Sequence, residues 1–483
     1  MEYRGFCSPS YTSQSLTADA ERTMNWYPET MESQYAKSRT AMYPTPGFQS
    51  WISVTDVGGR ALTSMNGRTL GVIGAGFYEL FQTQTSSRYG TVAQDNNPAM
   101  IVMNGTIGNQ ALASSGGNAY NLNLSTNALT QVLTNKSMMI GTIDGYGISF
   151  DNSTGRIYLS DLDDFTTWDP TQFAVRSAAP DTWKAMIVNP PDIWLIGSLS
   201  GDVWYDAGTF PFPLAPRQGL NFKYGIVAPF SLAASGPSVM WLSQTTEGAG
   251  IVVRTVGYSP QRVSTYAVET AIANMARTST IADAEALVYQ DQGHTFYNLN
   301  FPTANATWTL DLETNQWHER GYWKSATNSY EVWRPRVHTF AFNKHLTGDR
   351  VSTMIAEMDV TFGTELDGSA IRRERRAPGL FNEHRQVPIR NIELYLEAGL
   401  GTQSGQGSDP LVLWQTSDDG GKTWGNERQK QAGKVGEYKR RVRFWRMGVP
   451  RDRVNKCVVS DPIPWRLINC YVNNDASSQG QAA

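Results

Sequence analysis

Period-two alternation of apolar and polar residues dominates the chain. In residues 293–320, GHTFYNLNFPTANATWTLDLETNQWHER, Tyr297, Leu299 and Phe301 share one face of a first run, and Trp308, Leu310 and Leu312 share one face of a second. Successive side chains on a strand point to opposite faces, so the pattern predicts two half-buried strands. Residues 302–306 are short and turn-like, which predicts an antiparallel hairpin, and residues 311–315 form a second turn before a third strand at Trp317. This layout fits a propeller blade and an ordinary β-meander equally well.

Similar segments recur. Tyr120, Tyr158 and Trp204 are 38 and 46 residues apart, and Trp308 lies 104 further on, about two more intervals. A spacing of roughly 40–50 residues is what four-stranded propeller blades produce. The expected fold is all-β, a degenerate multi-bladed β-propeller with a smaller C-terminal β-domain; a set of β-sandwiches is the alternative. One helix is expected at 265–277, where Val268, Ile272 and Met275 fall at i, i+4 and i+7 behind Ser264 as N-cap. The predicted division is an N-terminal arm or edge strand at 1–50, the propeller body with its inserted helix at 51–371, a linker at 372–390, a small β-domain at 391–475 and a disordered tail at 476–483. Residues 224–246 carry no charge, but Pro229, Gly236 and Pro237 break them into strand, turn and strand rather than a membrane span.

Composition agrees with this plan. Fifteen Trp, 21 Tyr and 43 Gly with 18% charged residues suit strands joined by tight turns. Three cysteines, Cys7, Cys457 and Cys470, give neither a disulfide framework nor a C-x-x-C pair, so a reducing compartment is expected. The start, MEYRGFCSPS, shows no signal-peptide pattern. The net charge of −3 hides an asymmetry: residues 361–483 hold 19 Lys and Arg against 14 Asp and Glu, concentrated between Lys422 and Lys456. A basic C-terminal region on an acidic body suggests a charged partner surface, nucleic acid being one candidate.

The sharpest local motif is an Asp-box, with Ser417, Asp419, Gly421, Thr423 and Trp424 filling S-x-D-x-G-x-T-W. Asp419 suits acceptance from turn amides and Gly421 suits positive φ, so the motif predicts a hairpin and not a catalytic centre. Gly71, Gly74 and Gly76 loosely resemble a dinucleotide loop but lack the helix and acid that would follow it. A glycosidase would need paired carboxylates or an arginine cluster. Glu331, Asp359, Glu365 and Asp367, with Arg372, Arg373, Arg375 and Arg376, show no spacing that joins them. The histidines form no H-x-x-x-H pair, and Gly197–Gly201 lacks serine at the elbow position. No catalytic, cofactor or metal site is expected. Two features remain. Strand alternation from Lys439 to Arg446 would place Lys439, Arg441 and Arg443 on one face, to line a DNA channel, meet another protein or guard an edge. Trp26-Tyr27-Pro28 forms an aromatic anchor, for subunit packing or an edge strand against the body.

An ordered motif set runs through most of the chain: Asn25-Trp-Tyr-Pro-Glu29, Leu162-Asp-Asp-Phe165 with Trp168-Asp-Pro170, Ala179-Pro-Asp181, Phe210-Pro-Phe-Pro213, Arg262-Val-Ser-Thr265 with Val268-Glu269, Gly293-His-Thr-Phe-Tyr297, Trp317-His-Glu-Arg320, Ser417-Asp-Asp-Gly-Gly421 and the Lys439-to-Pro450 run. In this order it resembles the tail hub, or nozzle, proteins of short-tailed bacteriophages, the packaged-DNA stabilisation family. The resemblance implies a virion protein without enzyme activity or cofactor, made in the host bacterial cytoplasm. It implies a homohexameric ring below the portal adaptor that extends the DNA channel, helps retain the genome and carries fibres or spikes and a distal plug or needle. Double-stranded DNA would pass without sequence recognition, and no membrane is involved. The Asp-box keeps a sialidase-like or carbohydrate-binding propeller as the alternative.

Overall fold

The computed structural model describes residues 1–176, 179–246 and 248–473. Among these, the alternating segments build seven blades. Blade 1 spans residues 59–91, blade 2 100–133, blade 3 139–175 and blade 4 183–222, each an antiparallel four-stranded sheet in simple sequence order. Blade 5 covers 225–262 and blade 6 covers 285–320. Blade 7 has three strands of its own, Pro335–Ala341, Lys344–Asp349 and Met354–Asp359, and Gly47–Ser53 supplies the fourth, setting Phe48 opposite Met358 and Ile52 opposite Ile355. The first strand of blade 7 lies against Gly59–Met65 of blade 1, so the ring closes on itself with a strand from near the N-terminus as its clasp. Radial repetition leaves only short, protected sheet edges.

The residues at the expected spacing occupy one place in the blade. Tyr120, Tyr158, Trp204 and Trp308 all lie on third strands, of blades 2, 3, 4 and 6, and all are nearly buried. Tyr78 holds the same place in blade 1. Blade 5 has no aromatic on its third strand, Gly248–Val256, which is why the repeat skips an interval.

Blade 6 is the hairpin seen in the sequence. His294–Phe301 and Ala306–Asp311 pair with Leu299 opposite Trp308, and Gln316–Arg320 follows. Tyr297, Leu299, Phe301, Trp308, Leu310 and Leu312 enter the core shared with blade 5 and the helix. The strands are not half-buried, however: all eight residues of His294–Phe301 are buried, because another blade covers the second face. The polar residues on that face bond to each other, Thr309 to Asn298 and Thr307 to Asn300, each at 2.8 Å. This satisfies groups that would be costly to bury alone.

Helix α1 runs Tyr266–Thr278 and buries Ala267, Val268 and Ile272 against blades 5 and 6. Its N-cap is Thr265 rather than Ser264. Ser264 already accepts from the Val252 amide and donates to Glu269, while the Thr265 hydroxyl accepts from the Val268 amide. Thr265→Ala should cost about 1 kcal/mol in chemical unfolding, and Ser264→Ala should leave the cap bond in place.

The second body is a β-sandwich, and the N-terminal arm is part of it. One sheet runs Trp26–Thr30, Thr40–Pro44, Leu467–Val472, Ile389–Leu396 and Val442–Gly448 in order. The facing sheet contains Ala20–Met24, Arg373–Arg376, Asp452–Val459, Leu411–Ser417 and Arg428–Gln431. Tyr3, Phe6, Trp26 and Met42 share its core with Trp414, Phe444, Trp465 and Cys470. Residues 1–50 therefore divide between sandwich and blade 7 instead of forming one arm. Residues 372–390 are not a simple linker, since Arg373–Arg376 is an inner strand with three of its four residues buried. The expected tail at 476–483 lies outside the described residues. Among those residues no helix is long and apolar enough to cross a membrane.

Candidate functional site

The propeller and sandwich meet along the N-terminal strands. Ala20–Met24 pairs with Arg373–Arg376 on one side and, through Met24 and Glu319, with the last strand of blade 6 on the other, so one sheet runs from propeller into sandwich. Arg22 holds Glu319 with two nitrogens. Asn25 sits at φ 57°, and its side chain donates to the carbonyls of Gly321 and Arg372 at 2.8 and 2.9 Å. Asn tolerates this left-handed conformation better than most residues. Trp26, next in the chain, donates from Nε1 to the Trp465 carbonyl at 3.0 Å in the sandwich core. Tyr27 points the other way, with its ring 5.4 Å from that of His294 and 5.3 Å from that of Phe296 in blade 6. Pro28 is buried in the same strand. Trp26, Tyr27 and Pro28 are thus consumed inside the chain, and none is placed to anchor a neighbouring subunit.

His294 bridges the same junction. Its Nδ1 lies 2.8 Å from Asp311 of blade 6, and its Nε2 lies 2.6 Å from Glu29 of the sandwich. The bond to Asp311, with the Asp311 and Glu29 charges, raises the imidazole to about 9 against the cost of burial. A group whose folded pKa exceeds its unfolded value of about 6.5 stabilises fully below that value and loses the contribution as pH rises. The His294 contribution to the unfolding free energy should therefore fall between about pH 6.5 and 9, by at most about 3 kcal/mol, and His294→Gln should remove that part of the slope in urea titrations. His318, by contrast, is buried without a carboxylate partner, and burial pushes it well below the ordinary histidine range.

The Asp-box forms the turn between Leu411–Ser417 and Arg428–Gln431, in the sandwich and not in a blade. Asp419 accepts from the Ser417 hydroxyl, from the Lys422 and Thr423 amides and from the Thr423 hydroxyl, which together hold its carboxyl well below the usual range. Gly421 takes φ 88° and donates its amide to the Ser417 hydroxyl. Trp424 lies beneath Lys456 and Arg376, 4.2 and 5.6 Å from its ring. All five residues are spent on local structure.

The acids and arginines considered for sugar cleavage form no open site either, since Glu365 and Arg373, which lie close enough to interact, are both buried. Glu331 pairs with Lys324, Asp359 bonds Thr361, and Asp367 accepts from Tyr322 and Ser369. Glu365 is closed off from solvent, and burial raises its carboxyl to about 8. Arg372 stacks on Trp323, and Arg376 pairs with Glu374. Arg373 and Arg375 are fully buried in the inner sandwich strand. Gly71, Gly74 and Gly76 belong to the second and third strands of blade 1 and their turn. Among the described residues no cluster of three or more His, Cys, Asp or Glu could hold a metal ion.

The basic stretch folds differently from the expected alternation. The strand begins only at Val442, so Lys439 and Arg441 precede it, although Arg441 and Arg443 still lie on one side. Arg441 and Arg443 converge on Glu393 of the adjacent strand, at 2.5 and 2.8 Å, while Lys439 is exposed. First strands of blades 1, 2, 3, 6 and 7 contribute Arg60, Ile101, Met139, Leu287 and Val337 to a 300 Å³ cavity at the centre of the propeller.

Two family models match in tandem. The first, bacteriophage P22 Gp10, beta-propeller, covers residues 19–363, and the second, bacteriophage P22 Gp10, beta-sandwich, covers residues 372–475. The chain belongs to the bacteriophage P22 Gp10 family. As a Gp10-family protein it is a structural component of a short-tailed phage tail, located in the virion, and it is not an enzyme. No curated protein matches it. Solved structures give only distant likenesses. The N-terminal domain of Nup159 is 10% identical over 70% of this chain and 98% of its own, with a TM-score of 0.39. Virginiamycin B lyase from Staphylococcus aureus is 9% identical over 63% and 96%, at 0.40. The extracellular domain of BT4673 from B. thetaiotaomicron is 10% identical over 83% and 48%, at 0.42.

In this Gp10-family chain two strongly charged surfaces stand apart. Arg428–Gln431 and Val442–Gly448 are the last strands of their sheets, at the end of the sandwich away from blade 6. Around them residues 422–451 hold ten Lys and Arg against two Asp and Glu. Blades 3 and 4 carry the opposite sign, with ten Asp against four Lys and Arg in residues 139–222, of which Asp151, Asp192 and Asp202 are buried. The basic end stood out in the sequence because it is one contiguous run. The acidic surface is spread over separate turns, and a charge count taken blade by blade is the signal that finds it.

Proposed function

We propose that the chain is the hub, or nozzle, subunit of a short-tailed phage tail: six copies form a ring below the portal adaptor, extend the DNA channel and help hold the packaged genome. The ring also carries fibres or spikes and a distal plug or needle, and DNA passes without sequence recognition. The observation that carries this is the tandem match to both halves of the Gp10 family, which leaves almost no part of the chain unassigned. Side chains of the first strands line the centre of the propeller, and the ring therefore places the DNA channel between subunits. Such rings use head-to-tail contacts that close by rotation. Arg441 and Arg443 share Glu393, so one carboxylate offsets part of their charge.

Particles assembled without this protein test the retention role. They should fill with DNA and then lose it, so that encapsidated DNA becomes nuclease-sensitive, and added purified protein should restore protection. Particles that keep their DNA without it would contradict a role in retention.

A further inference from the structure

Two surfaces at opposite ends of the molecule have complementary charge and exposed apolar residues. The first is the sandwich rim. Lys430, Lys434, Lys439 and Arg440 are exposed there, with Tyr438 and Trp445 uncovered by 74% and 46%. Arg440 donates to Gln431 at 2.8 Å, which ties the turn before Val442–Gly448 to the strand Arg428–Gln431. The rim lies five strand steps from blade 6, about 24 Å at the usual spacing.

The second surface lies on blade 3, three places from blade 6 around a ring of seven, as far as a blade can be. Two of its turns and a turn of blade 2 touch. Asn104 donates to the Asp163 carbonyl at 3.2 Å, and the Asp163 amide donates to the Gly145 carbonyl at 3.1 Å. A Cβ on Gly145 would stand 3.0 Å from Leu162, so these turns form one surface. It presents Asp144, Asp161 and Asp163 around Ile107 and Leu162, which are 85% and 56% exposed.

We propose that the occupant of the acidic blade 3 surface is the basic sandwich rim of a second copy of this chain. Opposite charge at opposite ends suits a head-to-tail contact, and a self-complementary two-fold dimer would instead set like charges together. Apolar residues within each charged surface supply area that excludes water once the charges have aligned the two copies. This contact rests on the ring described above and assigns its lateral interface.

A charge-exchange experiment with the full chain tests it. The rim variant is Lys430→Glu/Lys439→Glu/Arg440→Glu. The blade variant is Asp144→Asn/Asp161→Lys/Asp163→Asn, with asparagine kept at the two positions of positive φ. Sedimentation of each variant alone should show self-association weakened by about 100-fold, the scale of like charges brought together. An equal mixture should recover rings in which the variants alternate, because every interface then pairs opposite charges. That recovery also controls for folding, since a misfolded variant cannot restore a ring. If both variants alone form rings as the wild type does, or the mixture of two folded variants stays dissociated, the contact is overturned while the ring stands. If the rim variant still forms rings but loses affinity for duplex DNA, the rim faces DNA and the contact is likewise overturned. If the wild-type chain never self-associates, even on portal–adaptor complexes, the ring itself fails.

Discussion

Arg375→Met is expected to destabilise the sandwich by about 3–5 kcal/mol, the cost of breaking a buried charged network at one partner. The guanidinium is fully buried and donates to the carbonyls of Phe6 and Gly5 at 2.6 and 2.8 Å and to the Thr23 hydroxyl at 2.9 Å. It also reaches the carbonyls of Pro9 and Arg22 and pairs with Glu21. Methionine fills similar space but leaves those acceptors unsatisfied and Glu21 without its cation. Arg375→Lys should recover only a small part, because an ammonium cannot present the same fork of donors. Urea unfolding should show the sandwich transition at lower denaturant, with proteolysis beginning in the N-terminal 24 residues. A loss below about 1 kcal/mol would mean that the segment is held by packing alone.

Trp26→Ala should be nearly as damaging, at about 3–5 kcal/mol for a large buried aromatic. The indole fills the sandwich core and its Nε1 bonds the Trp465 carbonyl, so the variant loses packing and leaves that carbonyl unpaired. The measurement also separates the two roles open to this residue in the sequence. A core residue lowers the unfolding midpoint of the dissociated chain; a subunit anchor would leave that midpoint unchanged and weaken only assembly.

These two residues also mark where the sequence was legible and where it was not. The blades could be read because a strand records its own burial locally, in alternation and in an aromatic that returns on third strands at Tyr120, Tyr158 and Trp204. The Asp-box turn was legible for the same reason, since its partners lie within a few residues of Asp419. Arg373–Arg376 has the composition of a solvated charge run. It is an inner strand because Ala20–Met24 and Asp452–Val459 pair with it on either side, and Gly5, Phe6 and Thr23, some 350 to 370 positions away, supply acceptors for Arg375. Trp26 had the same ambiguity, its partner Trp465 being 439 residues distant. Local pattern carries no record of such partners. The rim was recognised as basic, but the strand there starts at Val442, and Glu393, which draws in Arg441 and Arg443, comes from another element.

Imaging intact tails by electron cryomicroscopy tests the central claim most directly. A six-fold ring of this chain is expected on the tail axis immediately below the portal adaptor, each subunit a seven-bladed propeller joined to its sandwich, with DNA passing between subunits. A chain found away from the axis, in fibres or as a single copy, would contradict it.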